Sequence, residues 1–230
     1  MNARDLLAEV RRELEPLNSS VLNCRFIQMA ERGELKVEDL RSFVENQLYI
    51  VSHDAGSIAL MAARANRAEE SAYFADLARA DLEALRALEE MAEELGASRG
   101  PVQSLKVVPH AVDYTHFLAF LAAHRNPGEQ AFALIVNLPV WSAACARLLR
   151  AVREKYGLRR TRFLELFSSV PEWVEERGLQ VCERYVAEHA ESMRFFARLI
   201  QSYELSFWEA LGGGGGAGHQ AEGPALELDP

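Results

Sequence analysis

Cysteine, basic residues and strand-forming patterns are all scarce in this 230-residue chain, and each shortage excludes a class of protein. Its three cysteines, Cys24, Cys145 and Cys182, are widely spaced, odd in number and never form a C-x-x-C pair, which removes a disulfide framework and a cysteine zinc site. Lysine and arginine number 25 against 34 acidic residues, for a formal charge of −9. No basic block offers a footprint for nucleic acid or anionic lipid, so neither is expected as a partner. No stretch approaches the roughly 20 apolar residues that span a bilayer, and Met1-Asn2-Ala3-Arg4-Asp5 lacks the basic-then-apolar order of a signal peptide. A cytoplasmic location is expected. The phosphate-loop, dinucleotide and G-x-S-x-G hydrolase motifs are missing, as is the Glu-x-x-His pair by which helical bundles hold two irons. No metal ligand and no cofactor is therefore predicted.

What the chain does have is helical periodicity throughout, with no sustained alternation of strand type. In the first segment Leu6, Leu7, Val10, Leu14 and Leu17 form one stripe, predicting a helix from Ala3 to about Leu17 with its apolar face on a core. Further helices are expected over about 21–32 (closed by Gly33), 37–66, 69–95 (closed by Gly96), 110–123, 128–156 and 171–211. Pro139 lies inside the sixth and predicts a kink or a break there. After Trp208 come five consecutive glycines, Gly212 to Gly216. Residues 213–230 are read as a disordered tail that buries too little apolar area to offset its ordering entropy, and 1–212 as one all-α domain.

Two segments carry polar groups inside apolar helix. Asn46, Tyr49 and His53 share a face at i, i+3 and i+7, as do Glu45, Tyr49 and Ser52. Near the C-terminus Glu204 shares a face with Phe207 and Trp208. Such groups must be satisfied by one another, by water or by a ligand. The first set serves either a hydrogen-bond network that fixes helix register or a binding site. The second is either a core stripe with Glu204 turned to water, or an aromatic wall whose desolvated carboxyl titrates in the range useful for proton transfer.

The order of these segments is informative. Asn23-Cys24-Arg25-Phe26-Ile27-Gln28, Arg32-Gly33-Glu34-Leu35, Glu38-Asp39-Leu40-Arg41-Ser42-Phe43 and the Gln47-Leu48-Tyr49 helix together resemble the opening of the TenA/PqqC family. Val112-Asp113-Tyr114-Thr115 resembles its central tyrosine segment. Tyr203-Glu204-Leu205-Ser206-Phe207-Trp208 is similar to its terminal Glu-x-x-Phe-Trp motif. The resemblance covers about residues 21–211 and implies a haem-oxygenase-like helical bundle with a central pocket for a small molecule, assembled as a homodimer or homotetramer.

It also implies roles. Glu204 falls at the family's pocket glutamate, which donates and accepts protons, and Phe207 and Tyr114 fall at aromatic pocket positions. Departures are equally specific. Gln47 stands for the aspartate that grips a pyrimidine, and an amide can bond a pyrimidine edge but cannot act as a base. Ile50 stands for a tyrosine, and Asn137 or Val140, depending on alignment, for the nucleophilic cysteine, which is not Cys145. The residues expected to meet a ligand are Asn46, Gln47, Tyr49, Tyr114, Asn137, Trp141 and Phe207, with Glu204 catalytic. The activity implied is hydrolysis of an aminopyrimidine or related thiamin-derived amine; the alternatives are a non-catalytic binding or regulatory protein, or a PqqC-like or metal-dependent oxidase. For the last, the iron-dependent relatives' His-x-x-x-Asp-x-x-His motif is not completed after His189, and a haem oxygenase needs an N-terminal histidine where the first here is His53.

Overall fold

The computed structural model describes residues 1–98 and 100–214. Ten α-helices run through it: α1 (Ala3–Glu13), α2 (Glu15–Leu22), α3 (Arg25–Arg32), α4 (Val37–Arg64), α5 (Ala68–Leu95), α6 (Pro109–His124), α7 (Pro127–Tyr156), α8 (Arg162–Phe167), α9 (Glu172–Glu183) and α10 (Val186–Glu209). No strand occurs among the described residues. Gly33 and Gly96 close α3 and α5 in the left-handed conformation at φ 74° and 64°, as the sequence predicts.

Three expected helices are divided. The first stops at Leu14 because Pro16, in the opening turn of α2, has no N–H to continue the ladder. The segment expected over 21–32 is the end of α2 followed by α3, and the one over 171–211 is α9 followed by α10. That last break, at Arg184-Tyr185, has no local glycine or proline to announce it. It is set by tertiary contact: the Tyr185 ring lies where Gly128 leaves room, since a Cβ there would come within 2.5 Å of it, and its hydroxyl donates to Glu70 at 3.2 Å. The sequence pattern does not predict the short α8. Gly213 and Gly214 fall in the final turn, Ala210–Gly214, and the rest of the expected tail, 215–230, lies outside the described residues.

Pro139 does not break α7. Its missing N–H leaves the Ile135 carbonyl without a helical donor, and Arg11 from α1 supplies one instead, Nη2 to Ile135 O at 3.1 Å. The same guanidinium nitrogen pairs with Glu175 at 2.7 Å. Because Ile135 is buried, Arg11→Met is expected to cost about 1–3 kcal/mol, the penalty for a buried carbonyl left without a donor, measurable by urea denaturation.

α7 is the helix around which the others pack, touching α10, α9, α3 and α8. Contrary to the sequence reading, its 30 residues are long and apolar enough to cross a membrane, but 67% of its most apolar window is buried inside the bundle; it is a core helix covered by its neighbours. A reciprocal cap fixes its start. The Glu129 N–H donates to Asn126 Oδ1 at 2.9 Å and the Asn126 N–H to Glu129 Oε2 at 3.1 Å. α4 and α5, joined by three residues, form the most extensive helix pair. The buried apolar residues divide into two clusters, one around Phe26, Phe43, Trp141 and Trp208, the other around Leu6, Tyr73, Phe132 and Phe196. Tyr114 packs against both.

Candidate functional site

A cavity of about 320 Å³ opens where the two clusters meet, lined by α4, α5, α6, α7, the α8–α9 connection and α10. Its size suits a single small molecule. Most of the lining is apolar; the polar exceptions include Gln47, Asp54, Asp81, Tyr114, Asn137 and Glu204.

Glu204 is the centre of a closed hydrogen-bond network. Its two oxygens are held from opposite sides, Oε1 by the Trp208 indole N–H at 2.7 Å and Oε2 by Asn137 Nδ2 at 3.1 Å. The same Asn137 nitrogen donates its second proton to Gln201 Oε1 at 2.8 Å, and Asn137 Oδ1 accepts from the Tyr114 hydroxyl at 3.2 Å. Gln201 in turn donates to Asn18 Oδ1 at 2.6 Å. Asn137 thus commits both donors and its acceptor to protein partners, and it positions Glu204 and Tyr114 around the cavity. Phe207 and Trp141 meet edge to face with ring centroids 5.8 Å apart and form an aromatic wall beside the carboxyl.

No cationic side chain among the described residues lines the cavity beside Glu204. Burial pushes its carboxyl up to about 7, against the pull of the Asn137 and Trp208 hydrogen bonds in the other direction. A carboxyl shared between its two protonation states near neutrality can both give and take a proton. The Tyr114 phenol is raised well above its ordinary value by burial and by Asp54, Glu204 and Asp81, so it remains a neutral hydrogen-bond donor.

Three acids outside the set expected from sequence line the same cavity. Glu83, on α5, is exposed and pairs with Arg162 at 3.2 Å; the other two are Asp54 and Asp81. Asp54, on α4, accepts a hydrogen bond from the Thr115 hydroxyl; burial and the neighbouring Asp81 raise its carboxyl well above the usual range. Asp81, on α5, makes no hydrogen bond or ion pair among the described residues, and burial pushes it up to about 7. Both have visible signals. Asp54 follows Gln47 by seven residues on an apolar face, and Asp81 falls on the stripe Leu77, Asp81, Ala84, Leu88. Asp81 is obscured in the sequence because its neighbour Leu82 looks like the core residue, whereas Leu82 is 52% exposed.

A raised carboxyl stabilises the fold fully below its unfolded value, near 4, and that stability is lost as pH rises through the folded value, near 7. Asp81→Asn removes this loss. The variant is expected to gain on the order of 2 kcal/mol relative to the native protein between pH 5 and pH 8, read from denaturant unfolding at both values.

Of the eight residues named from the sequence, Glu204, Gln47, Tyr114, Asn137, Trp141 and Phe207 line this one cavity. Asn46 and Tyr49 lie outside it, contrary to expectation. The Asn46 amide is consumed by backbone, donating to Ser42 O at 2.8 Å and accepting from the Val108 N–H at 2.8 Å, and so ties α4 to the segment before α6. Tyr49 faces away, its hydroxyl 3.0 Å from His116 Nε2 and its ring 4.3 Å from that of His53. Those two residues take the register-fixing role that the sequence leaves open. All three cysteines are buried and none lines the cavity.

The TENA/THI-4/PQQC family model matches residues 11–211. This chain belongs to that family. No curated protein matches its sequence significantly. A TenA homologue from Pyrococcus furiosus superposes with a TM-score of 0.73 at 20% identity, covering 90% of this chain and 99% of that one. A Sulfolobus solfataricus P2 protein, provisionally designated a TenA-like thiaminase, gives 0.69 at 15%, covering 92% and 96%. The haem-bound heme oxygenase-1 of the cyanobacterium Synechocystis gives 0.64 at 16%, covering 91% and 93%. At these identities the likeness is one of fold, and the fold is the haem-oxygenase-like all-α bundle. In this TenA-like chain the cavity lining contains neither histidine nor cysteine among the described residues.

Proposed function

We propose that this TenA-like protein hydrolyses a small, flat aminopyrimidine or a related thiamin-derived amine, with Glu204 transferring the protons. The observation that carries this reading is the convergence of Glu204, Gln47, Tyr114, Asn137, Trp141 and Phe207 on one cavity, with the Glu204 carboxyl held at both oxygens and titrating near neutrality. In the protonated state Glu204 delivers a proton to the leaving amine; in the ionised state it takes one from the attacking water. The Gln47 amide, which has no hydrogen-bond partner among the described residues, offers a donor and an acceptor to a ring nitrogen and its adjacent amino group. Trp141 and Phe207 present the flat surfaces against which a heterocycle stacks.

Among the described residues the lining contains no arginine, lysine or histidine. That disfavours phosphorylated or polycarboxylate ligands, whose charges would be desolvated without a partner. The missing lining thiol supports a second reading, a binding protein that retains the pocket without the chemistry. Incubation of the purified protein with aminopyrimidines, with released amine measured, separates the two. Turnover that depends on Glu204 supports the hydrolase, whereas tight binding without amine release supports the binding protein.

A further inference from the structure

The cavity has a second polar end that Glu204 chemistry does not use. Asp54 on α4 and Asp81 on α5 line the same space, and Asp81 lies close enough to raise the cost of charge on Asp54; among the described residues no basic side chain lines that space. Thr115 satisfies one oxygen of Asp54; Asp81 has no partner among the described residues. Gln47, only 3% exposed, makes no hydrogen bond to another described residue and lines the same cavity. Seven residues separate Gln47 from Asp54, which at 1.5 Å per helical residue places the two ends of this stripe roughly 10 Å apart. Carboxylates withdrawn from water without a cation are costly, and the aromatic side chains of Tyr114, Trp141, Phe167 and Trp173 line the same cavity, where a ring face attracts positive charge.

We propose that Asp54 and Asp81 form a subsite for a cationic, N–H-bearing group, so that the ligand is a flat ring at the Gln47 end extended by an alkylammonium arm. The placing of the ring rests on the proposed hydrolase reading; the subsite does not. Without ligand the pair is kept partly protonated, because no cation among the described residues offsets its charge. When the ammonium enters, the bound proton passes to solvent and the ammonium donates hydrogen bonds to both carboxylates.

The test is calorimetric titration of the full chain with 4-phenylbutylammonium and its neutral counterpart 4-phenylbutanol, each in two buffers of different ionisation heat at pH 7. The ammonium compound is expected to bind roughly tenfold or more tightly than the alcohol and to release protons on binding, while the alcohol releases none. Asp81→Asn, which loses no protein hydrogen bond, and Asp54→Asn should each reduce that preference below about threefold with alcohol affinity unchanged; circular dichroism melting establishes that both variants are folded. An ammonium compound that binds no better than its alcohol overturns the subsite, as does a preference that survives either substitution. Glu204→Gln should keep the ammonium preference, so failure of the hydrolase reading and failure of this subsite give different results.

Discussion

Glu204→Gln should slow aminopyrimidine hydrolysis by about 10²- to 10⁴-fold, the range expected when a positioned general acid–base group is removed, while ligand affinity changes only a few-fold. Glutamine has almost the same shape, and its carbonyl can still accept from the Trp208 indole N–H. Its amide nitrogen then faces the Asn137 amide nitrogen, now 3.1 Å from Oε2, and that one hydrogen bond is lost. The variant cannot carry a proton in either direction. The native rate should also change with pH around 7, where the carboxyl titrates, and the residual rate of the variant should lack that step. Steady-state kinetics from pH 5 to 9 on both proteins provide the check. Equal rates would remove Glu204 from the mechanism and leave the binding-protein reading.

Trp208→Ala is expected to be among the most destabilising single changes in the molecule, by about 3–5 kcal/mol. The indole is fully buried and lies among Phe26, Phe43, Trp141 and Phe207, at centroid distances of 5.9, 6.0, 5.5 and 5.0 Å. Truncation opens a void at the junction of α3, α4, α7 and α10 and takes one of the two donors from Glu204. Trp208→Phe separates the two effects. It keeps most of the packing and removes the N–H that draws the Glu204 carboxyl downward, so the pH dependence of hydrolysis should shift to higher pH while stability falls by only about 1–3 kcal/mol. Guanidinium unfolding of both variants, paired with the pH profile of Trp208→Phe, reads stability and proton chemistry independently. A Phe variant with an unmoved profile would mean that the indole N–H does not tune the carboxyl.

Part of the pocket is legible in the amino-acid sequence. Glu204 stands out as a carboxyl sharing a helical face with Phe207 and Trp208, although periodicity leaves open whether it turns to water or inward; Gln47 and Phe207 are reached through the family resemblance. Asn46 and Tyr49 are likewise polar groups in an apolar helix and yet serve the packing of α4 against the segment before α6 and against α6 itself. A polar residue on a buried face must be satisfied, but sequence does not say whether protein or ligand satisfies it. Asp81 shows the reverse ambiguity. In a helix rich in Ala, Leu and Glu, an aspartate next to a leucine reads as solvent-facing, and only the rotation of α5 against α4 turns it inward.

Helical periodicity and the glycine stops at Gly33 and Gly96 determined by themselves that this is an all-α chain, because each depends on residues within a turn or two of one another, and the order of its segments carried the resemblance to the TenA family. The tertiary structure decided the rest. It split the last long helix at Tyr185, where contacts with Gly128 and Glu70 outweigh local propensity. It kept α7 continuous through Pro139 by bringing Arg11 to the orphaned Ile135 carbonyl. It closed the Asn137–Glu204–Trp208 network and turned Asp54 and Asp81 toward one cavity. All of these join residues distant in the chain, and whether a buried polar atom finds a partner is a property of packed helices that no local pattern encodes.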